Sequence, residues 1–192
     1  MKFFSKRRNA FLIAVIVVVL VTVFGVRRSA GTQAQKVIDE FSSGSSSIQS
    51  QLDMRTSASL RMYSIYRDGY RDLDSDLDTA AETLRSRRSE LTDLMDSGAG
   101  ASSLFRANEA LQSAGEDCYA ILSSLDEISD NDATNLDNDY STFNNAQRVI
   151  GTSTYNSSVQ EFSRTVLATF PLTLFRNPGI PGLAIETPEL FA

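Results

Sequence analysis

Histidine and tryptophan are absent from this 192-residue chain, cysteine occurs once, at Cys118, and all four prolines lie at or beyond Pro171. Without histidine there is no imidazole for acid-base work, for Ser-His-Asp or Cys-His nucleophiles, or for most structural zinc patterns. A lone cysteine excludes a disulfide within the chain and leaves the redox compartment unread. Proline breaks helices, so its absence before Pro171 permits long uninterrupted ones. No segment shows sustained alternation with β-branched residues, so no sheet is expected.

Charge is also missing from one region. All 24 acidic residues lie at or after Asp39, whereas six of the 18 basic ones (Lys2, Lys6, Arg7, Arg8, Arg27 and Arg28) flank one apolar run. The part beyond Arg28 therefore carries 12 basic against 24 acidic residues, a net charge of −12. Such a surface repels phosphate backbones, so nucleic acid is not an expected partner.

The apolar run is AFLIAVIVVVLVTVFGV, residues 10–26, without a charge. As a helix it spans about 25 Å, slightly under the ~30 Å hydrocarbon core, with snorkelling Arg8, Arg27 and Arg28 covering the difference. It is longer than the apolar core of a signal peptide, and Arg27-Arg28 stands where a small-residue cleavage site belongs. The expectation is a retained single-pass anchor in the cell membrane. Four basic residues before it and two after favour a cytoplasmic N-terminus and an extracytoplasmic domain.

Four parts are expected: a basic cytoplasmic segment (1–9), a transmembrane helix (10–26), a helical bundle (29–170) and an extended apolar tail (171–192). The strongest periodicity runs through Ser59, Tyr63, Tyr66, Tyr70, Leu73, Leu77, Ala80, Leu84, Arg87, Leu91 and Leu94 at spacings of four and three. Held without a slip, it predicts one long helix with left-handed, coiled-coil-like packing. Upstream, Val37, Phe41, Ile48 and Leu52 form a stripe interrupted by the serine-rich run Ser42 to Ser47, read as a kink or a weak turn.

The loop Ser97 to Ser103 supplies glycines for a C-cap and serines for the next N-cap. A second helix follows, with Leu104, Ala107, Leu111, Ala114, Cys118, Ile121, Leu125 and Ile128 inward; Cys118 reads as a small core residue. Ser129 to Asn135 reads as a turn. A third helix carries Leu136, Tyr140, Phe143 and Ile150, shifts register near Gly151, and continues through Tyr155, Val159, Phe162, Val166 and Phe170. The fold class expected is all-α: a transmembrane helix, then an antiparallel up-down bundle of three to four long helices, then a proline-containing tail.

Asp72, Asp74, Asp76 and Asp78 resemble the start of a calcium loop, but its glycine position is Leu77 and its final glutamate position is Thr83. A solvated helix face is the expected reading. No catalytic, cofactor-binding or metal-binding residue is assigned, and no cofactor is expected.

Two segments resemble the LemA family of membrane-anchored bacterial proteins. Tyr155-Asn156-x-x-Val159-x-x-Phe162, followed by Phe170-Pro171, is similar to that family's final helix. Ile48-x-x-Gln51-Leu52-x-x-Arg55 is similar to a stretch of its first long helix. The chain departs from the family at Thr56 to Leu60, where a Pro-Asn-Leu step is usual, and at Thr152, where an arginine is common. The resemblance implies a helical fold at a membrane and no reaction.

The functional expectation is a non-enzymatic, membrane-anchored scaffold that binds the bilayer through residues 10–26 and holds other membrane proteins or copies of itself. The alternative is a ligand or divalent-cation sensor using the acidic helix faces. Leu172, Leu174, Phe175, Ile180, Leu183, Ile185, Leu190 and Phe191 form the candidate interaction tail, because so many apolar side chains need a cover.

Overall fold

The computed structural model describes residues 2–168 and 185–192, and every regular element among them is helical. The helices are α1 (Lys2–Ser42), α2 (Ile48–Ile65), α3 (Ser75–Asp96), α4 (Ala101–Ser123), α5 (Asp130–Gly151) and α6 (Tyr155–Glu161). Wider π-helical turns extend α2 through Tyr66–Tyr70 and α6 through Phe162–Leu167. Phe170, Pro171, Leu172, Leu174, Phe175, Ile180 and Leu183 lie outside the described residues. The chain divides into two compact units, residues 1–39 with 157–188 and residues 40–156 with 189–192.

In the first unit, α1 includes an 18-residue window of mean hydropathy 2.1, long and apolar enough to cross a membrane. Its apolar side chains face outward, with Phe11 68%, Val18 64% and Val21 67% exposed. Beyond Arg28 the pattern changes to a stripe of buried small side chains, Ala30, Ala34 and Val37. Val159, Phe162, Val166 and Leu167 are buried in the same unit. Ile185 is buried at a groove that Arg27, Arg28, Gly31, Ala34, Gln35 and Ile38 line.

The second unit begins with a break. Gly44 takes φ +100°, a left-handed conformation that glycine reaches at little cost. Ser47 then caps α2, its hydroxyl accepting from Ser50 N at 3.2 Å. Gln51 holds the turn by donating to Ser45 O at 2.6 Å. The serine-rich run is thus a true helix end, because its glycine and its capping serine both favour one.

The continuous helix expected from Ser59 to Leu94 is not formed. The chain leaves α2 after Tyr70, places Asp72 at φ 63°, and starts α3 at Ser75. Asp74 caps that start, accepting from Asp76 N at 2.7 Å and Leu77 N at 3.0 Å. Asp78 fixes the turn, accepting from Asp72 N at 3.1 Å and the Tyr66 hydroxyl at 2.7 Å. Two of the aspartates that suggested a polar helix face are therefore in a loop. Burial follows the break: Tyr66, Tyr70, Leu77, Leu84 and Leu91 are buried, but Leu73 and Arg87 are exposed and Ala81, off the expected stripe, is buried.

Other helix ends also differ from expectation. Gly98 at φ 66° closes α3, with Gly98 N donating to Met95 O and Ala99 N to Leu94 O, a Schellman arrangement. The N-cap of α4 is Gly100 rather than a serine. The Asp-Asn-Asp run is the first turn of α5 rather than a turn between helices. Ser129 caps it, and Asp130 and Asp132 complement the helix dipole. The third helix does not shift register at Gly151; it ends there, and Thr152–Thr154 separate it from α6.

Side-chain bonds give the direction of each packed pair. Between α2 and α3, Thr56 meets Arg88, Tyr63 meets Glu82 and Tyr66 meets Asp78. Between α2 and α5, Arg55 meets Gln147 and Arg61 meets Asp139. Between α4 and α5, Asn108 meets Gln147, Gln112 meets Asn144 and Tyr119 meets Asp137. In each pair one number rises as the other falls, so the two helices run in opposite directions. The core they enclose contains Leu52, Met62, Leu77, Leu84, Leu111, Leu122, Leu136 and Phe143, all fully buried. Fully burying one such side chain stabilises by roughly 1.5–3 kcal/mol. Cys118 lies among them, and burial pushes its thiol up to about 12.

Candidate functional site

The four motif residues of the first family-like segment, Ile48, Gln51, Leu52 and Arg55, are all buried. Ile48 and Leu52 join the apolar core, Gln51 holds the serine turn, and Arg55 is 0% exposed. The Arg55 guanidinium donates to the side-chain oxygens of Asn108, Gln112 and Gln147, the last at 2.5 Å. It also lies over the Phe143 ring, 4.2 Å from its centroid. Its Nε has no acceptor. Burial pushes its pKa down to about 10, opposed by the charges of Glu109 and Glu116, so it stays cationic at neutral pH.

The Arg55 cluster is a core device. A buried charge costs free energy unless it is hydrogen-bonded, and amide oxygens from α4 and α5 supply the bonds. Gly115 belongs to the same packing, since a Cβ there would lie 2.8 Å from the edge of the Phe143 ring.

The second family-like segment builds a clamp. Ser153 Oγ accepts from Tyr155 N at 3.2 Å, which starts α6 and sets Tyr155 and Asn156 in its first turn. The Tyr155 hydroxyl donates to Glu189 O at 2.7 Å. Asn156 Nδ2 donates to Phe191 O and Asn156 Oδ1 accepts from Phe191 N, both at 2.8 Å. Ser102 Oγ donates to Ala192 O at 3.2 Å. Burial, with Glu189 and Glu40 nearby, pushes the Tyr155 hydroxyl up to about 12.

Aromatic rings close the clamp. The Phe191 ring packs edge-on against Phe105 at 5.3 Å and tilted against Phe41 at 6.0 Å, and Phe41 touches Tyr155 at 5.2 Å. Phe191 is 3% exposed. The Glu189 carboxylate rests on Gly100, where a Cβ would make it shift. That position is the start of α4, which has no side-chain cap and no acid in its first turn. A carboxylate there meets the positive end of the helix dipole.

Of the expected interaction tail, then, Phe191 is covered by its own chain, Ile185 is buried, and Leu190 is exposed. Val159 and Phe162 are buried. Sequence reasoning missed Asn108, Gln112 and Gln147 as partners of Arg55, and Gly100, Ser102 and Phe105 as parts of the clamp. The pair Asn108 and Gln112, one turn apart beside the apolar stripe of α4, was the available signal. Among the described residues no group of three or more His, Cys, Asp or Glu side chains is placed to hold a metal ion. Compared with known proteins, this chain matches no family model, no curated protein and no solved structure.

Proposed function

We propose that this protein is a non-enzymatic, membrane-anchored interaction protein of the kind the LemA resemblance implies. In this reading α1 is retained as a single-pass anchor with its N-terminus in the cytoplasm. Helices α2 to α5 form an up-down antiparallel bundle on the other side, and that bundle holds other membrane proteins or copies of the chain.

One observation supports the reading above others: described residues of both family-like segments serve packing and a peptide clamp. Arg55 and Gln51 hold helices together, and Tyr155 and Asn156 grip backbone atoms of residues 189–191. Recognition of backbone by a fixed carboxamide and a phenol is binding chemistry.

The test has two arms. Alkali-washed membranes should retain the intact chain, and protease added to whole cells should remove the bundle while leaving the first residues protected. A mature mass beginning near Thr32, or bundle protection in intact cells, defeats the anchor or its orientation. Crosslinking in membranes followed by purification should recover the chain with itself or with a constant set of proteins; recovery as a free monomer alone defeats the interaction role.

A further inference from the structure

The clamp reads its occupant by four features. A carboxylate lies at the start of α4 beside Gly100, and the following residue, Leu190, faces out. A phenylalanine then fills the space between Phe41 and Phe105, its N–H and C=O both held by Asn156. Ser102 contacts the backbone of the position after it, where Ala192 is exposed. The site thus fits a peptide of the pattern acid, any residue, phenylalanine, any residue. All four hydrogen bonds pair backbone atoms of the segment with side chains of other elements, so nothing in them requires the occupant to come from the same molecule.

We propose that the clamp exchanges its occupant between copies, the Glu189–Ala192 segment of one chain seating in the clamp of a second. The second copy is the committed partner because it necessarily carries the segment that the geometry selects. Exchange of an identical segment keeps every contact and so proceeds at little cost. Confinement to one membrane raises the local concentration of the competing copy, which favours the exchange. The proposal rests on the membrane-anchored reading above, and it assigns the homotypic contact to one defined site.

The experiment uses full-length chains in membranes and the close approach of Ser102 to Ala192. One chain carries S102C and another A192C; the two are co-expressed and treated with a short bis-maleimide. Wild-type chain sets the background, since Cys118 is buried. Exchange predicts a covalent dimer joining the two variants. Adding Phe191→Ala to the A192C chain should lower the dimer yield at least several-fold, and moving the first cysteine to Asp76, away from the clamp, should return it to background.

A single chain carrying both cysteines reports docking in either mode. Crosslinking within that chain, with no dimer from the mixed variants, overturns the exchange. A dimer yield unaffected by Phe191→Ala also overturns it, because it reports mere proximity. Membrane retention measured in the same cells stands apart: membrane-bound chains that crosslink only within themselves defeat the exchange and leave the anchor intact, whereas chains lost from the membrane defeat the anchor.

Discussion

Asn156 holds Phe191 by both of its backbone polar groups, its carboxamide nitrogen donating to the Phe191 carbonyl and its oxygen accepting the Phe191 N–H, each at 2.8 Å. A carboxamide offers a donor and an acceptor side by side. Asn156→Ala removes both bonds at once, and each is worth about 1 kcal/mol. Amide hydrogen exchange at Phe191 and Ala192 should accelerate, while exchange in the interiors of α2 and α5 stays unchanged. Equal acceleration throughout would show that the clamp is not a separable unit.

Alkaline stability should carry the signature of Tyr155. Its pKa is raised from the usual 10 to about 12, so the neutral hydroxyl is favoured in the folded state. The stabilisation is complete below about pH 10 and is lost as pH rises through 12. Tyr66 moves in the same direction, through burial and its bond to Asp78. Because the buried Cys118 thiol is raised from 9 as well, melting temperature should start to fall above about pH 9, with Arg55 opposing part of the fall above 10, and Tyr155→Phe should lessen the fall. A profile for Tyr155→Phe that matches wild type would remove Tyr155 from the cause.

Arg55→Ala should be among the most damaging single changes, costing about 3 kcal/mol or more, because it empties a large buried site and strips the amides of Asn108, Gln112 and Gln147 of their donor. Arg55→Met, which keeps volume without charge, should cost less, since apolar replacement of buried charge is often tolerated. Urea unfolding of both variants gives the comparison. If methionine were the worse of the two, the emptied volume would not be the source of the loss.

Leu84 is fully buried and Asp76 is exposed, so the same helix offers an internal control. Leu84→Asp buries an unpaired carboxylate and removes a packed side chain, a loss of several kcal/mol that should unfold the domain. Asp76→Ala should change stability by less than about 0.5 kcal/mol. Circular dichroism melts decide, and equal tolerance would mean that the burial assigned to Leu84 is wrong.

Helix character and most inward residues could be read from periodicity, because apolar spacing reports burial directly. Leu104, Ala107, Leu111, Ala114 and Cys118 are all buried as their spacing required. The helix ends were harder. A repeat of seven continued through Tyr66 to Leu77 without any slip, so spacing alone concealed the reversal at Asp72 to Asp74. Only the capping capacity of Asp74 and the left-handed tolerance of Asp72 marked it. The clamp was invisible for a different reason: Tyr155 and Asn156 find partners 34 and 35 residues away, and no local pattern encodes that pairing.

The cation at the centre of the core has a consequence for where such a domain can work. Arg55 is bonded to carboxamides and faces a phenyl ring, groups that neither gain nor lose a proton in ordinary acid or base. Glu109 and Glu116 act on it through their charge, and Glu116 also accepts from Gln112 Nε2 at 2.5 Å, which ties one carboxylate to this network. A compartment's acidity therefore reaches the packing of α2, α4 and α5 one step away from Arg55, at the Glu116 carboxylate, and not at the bonds that Arg55 itself makes.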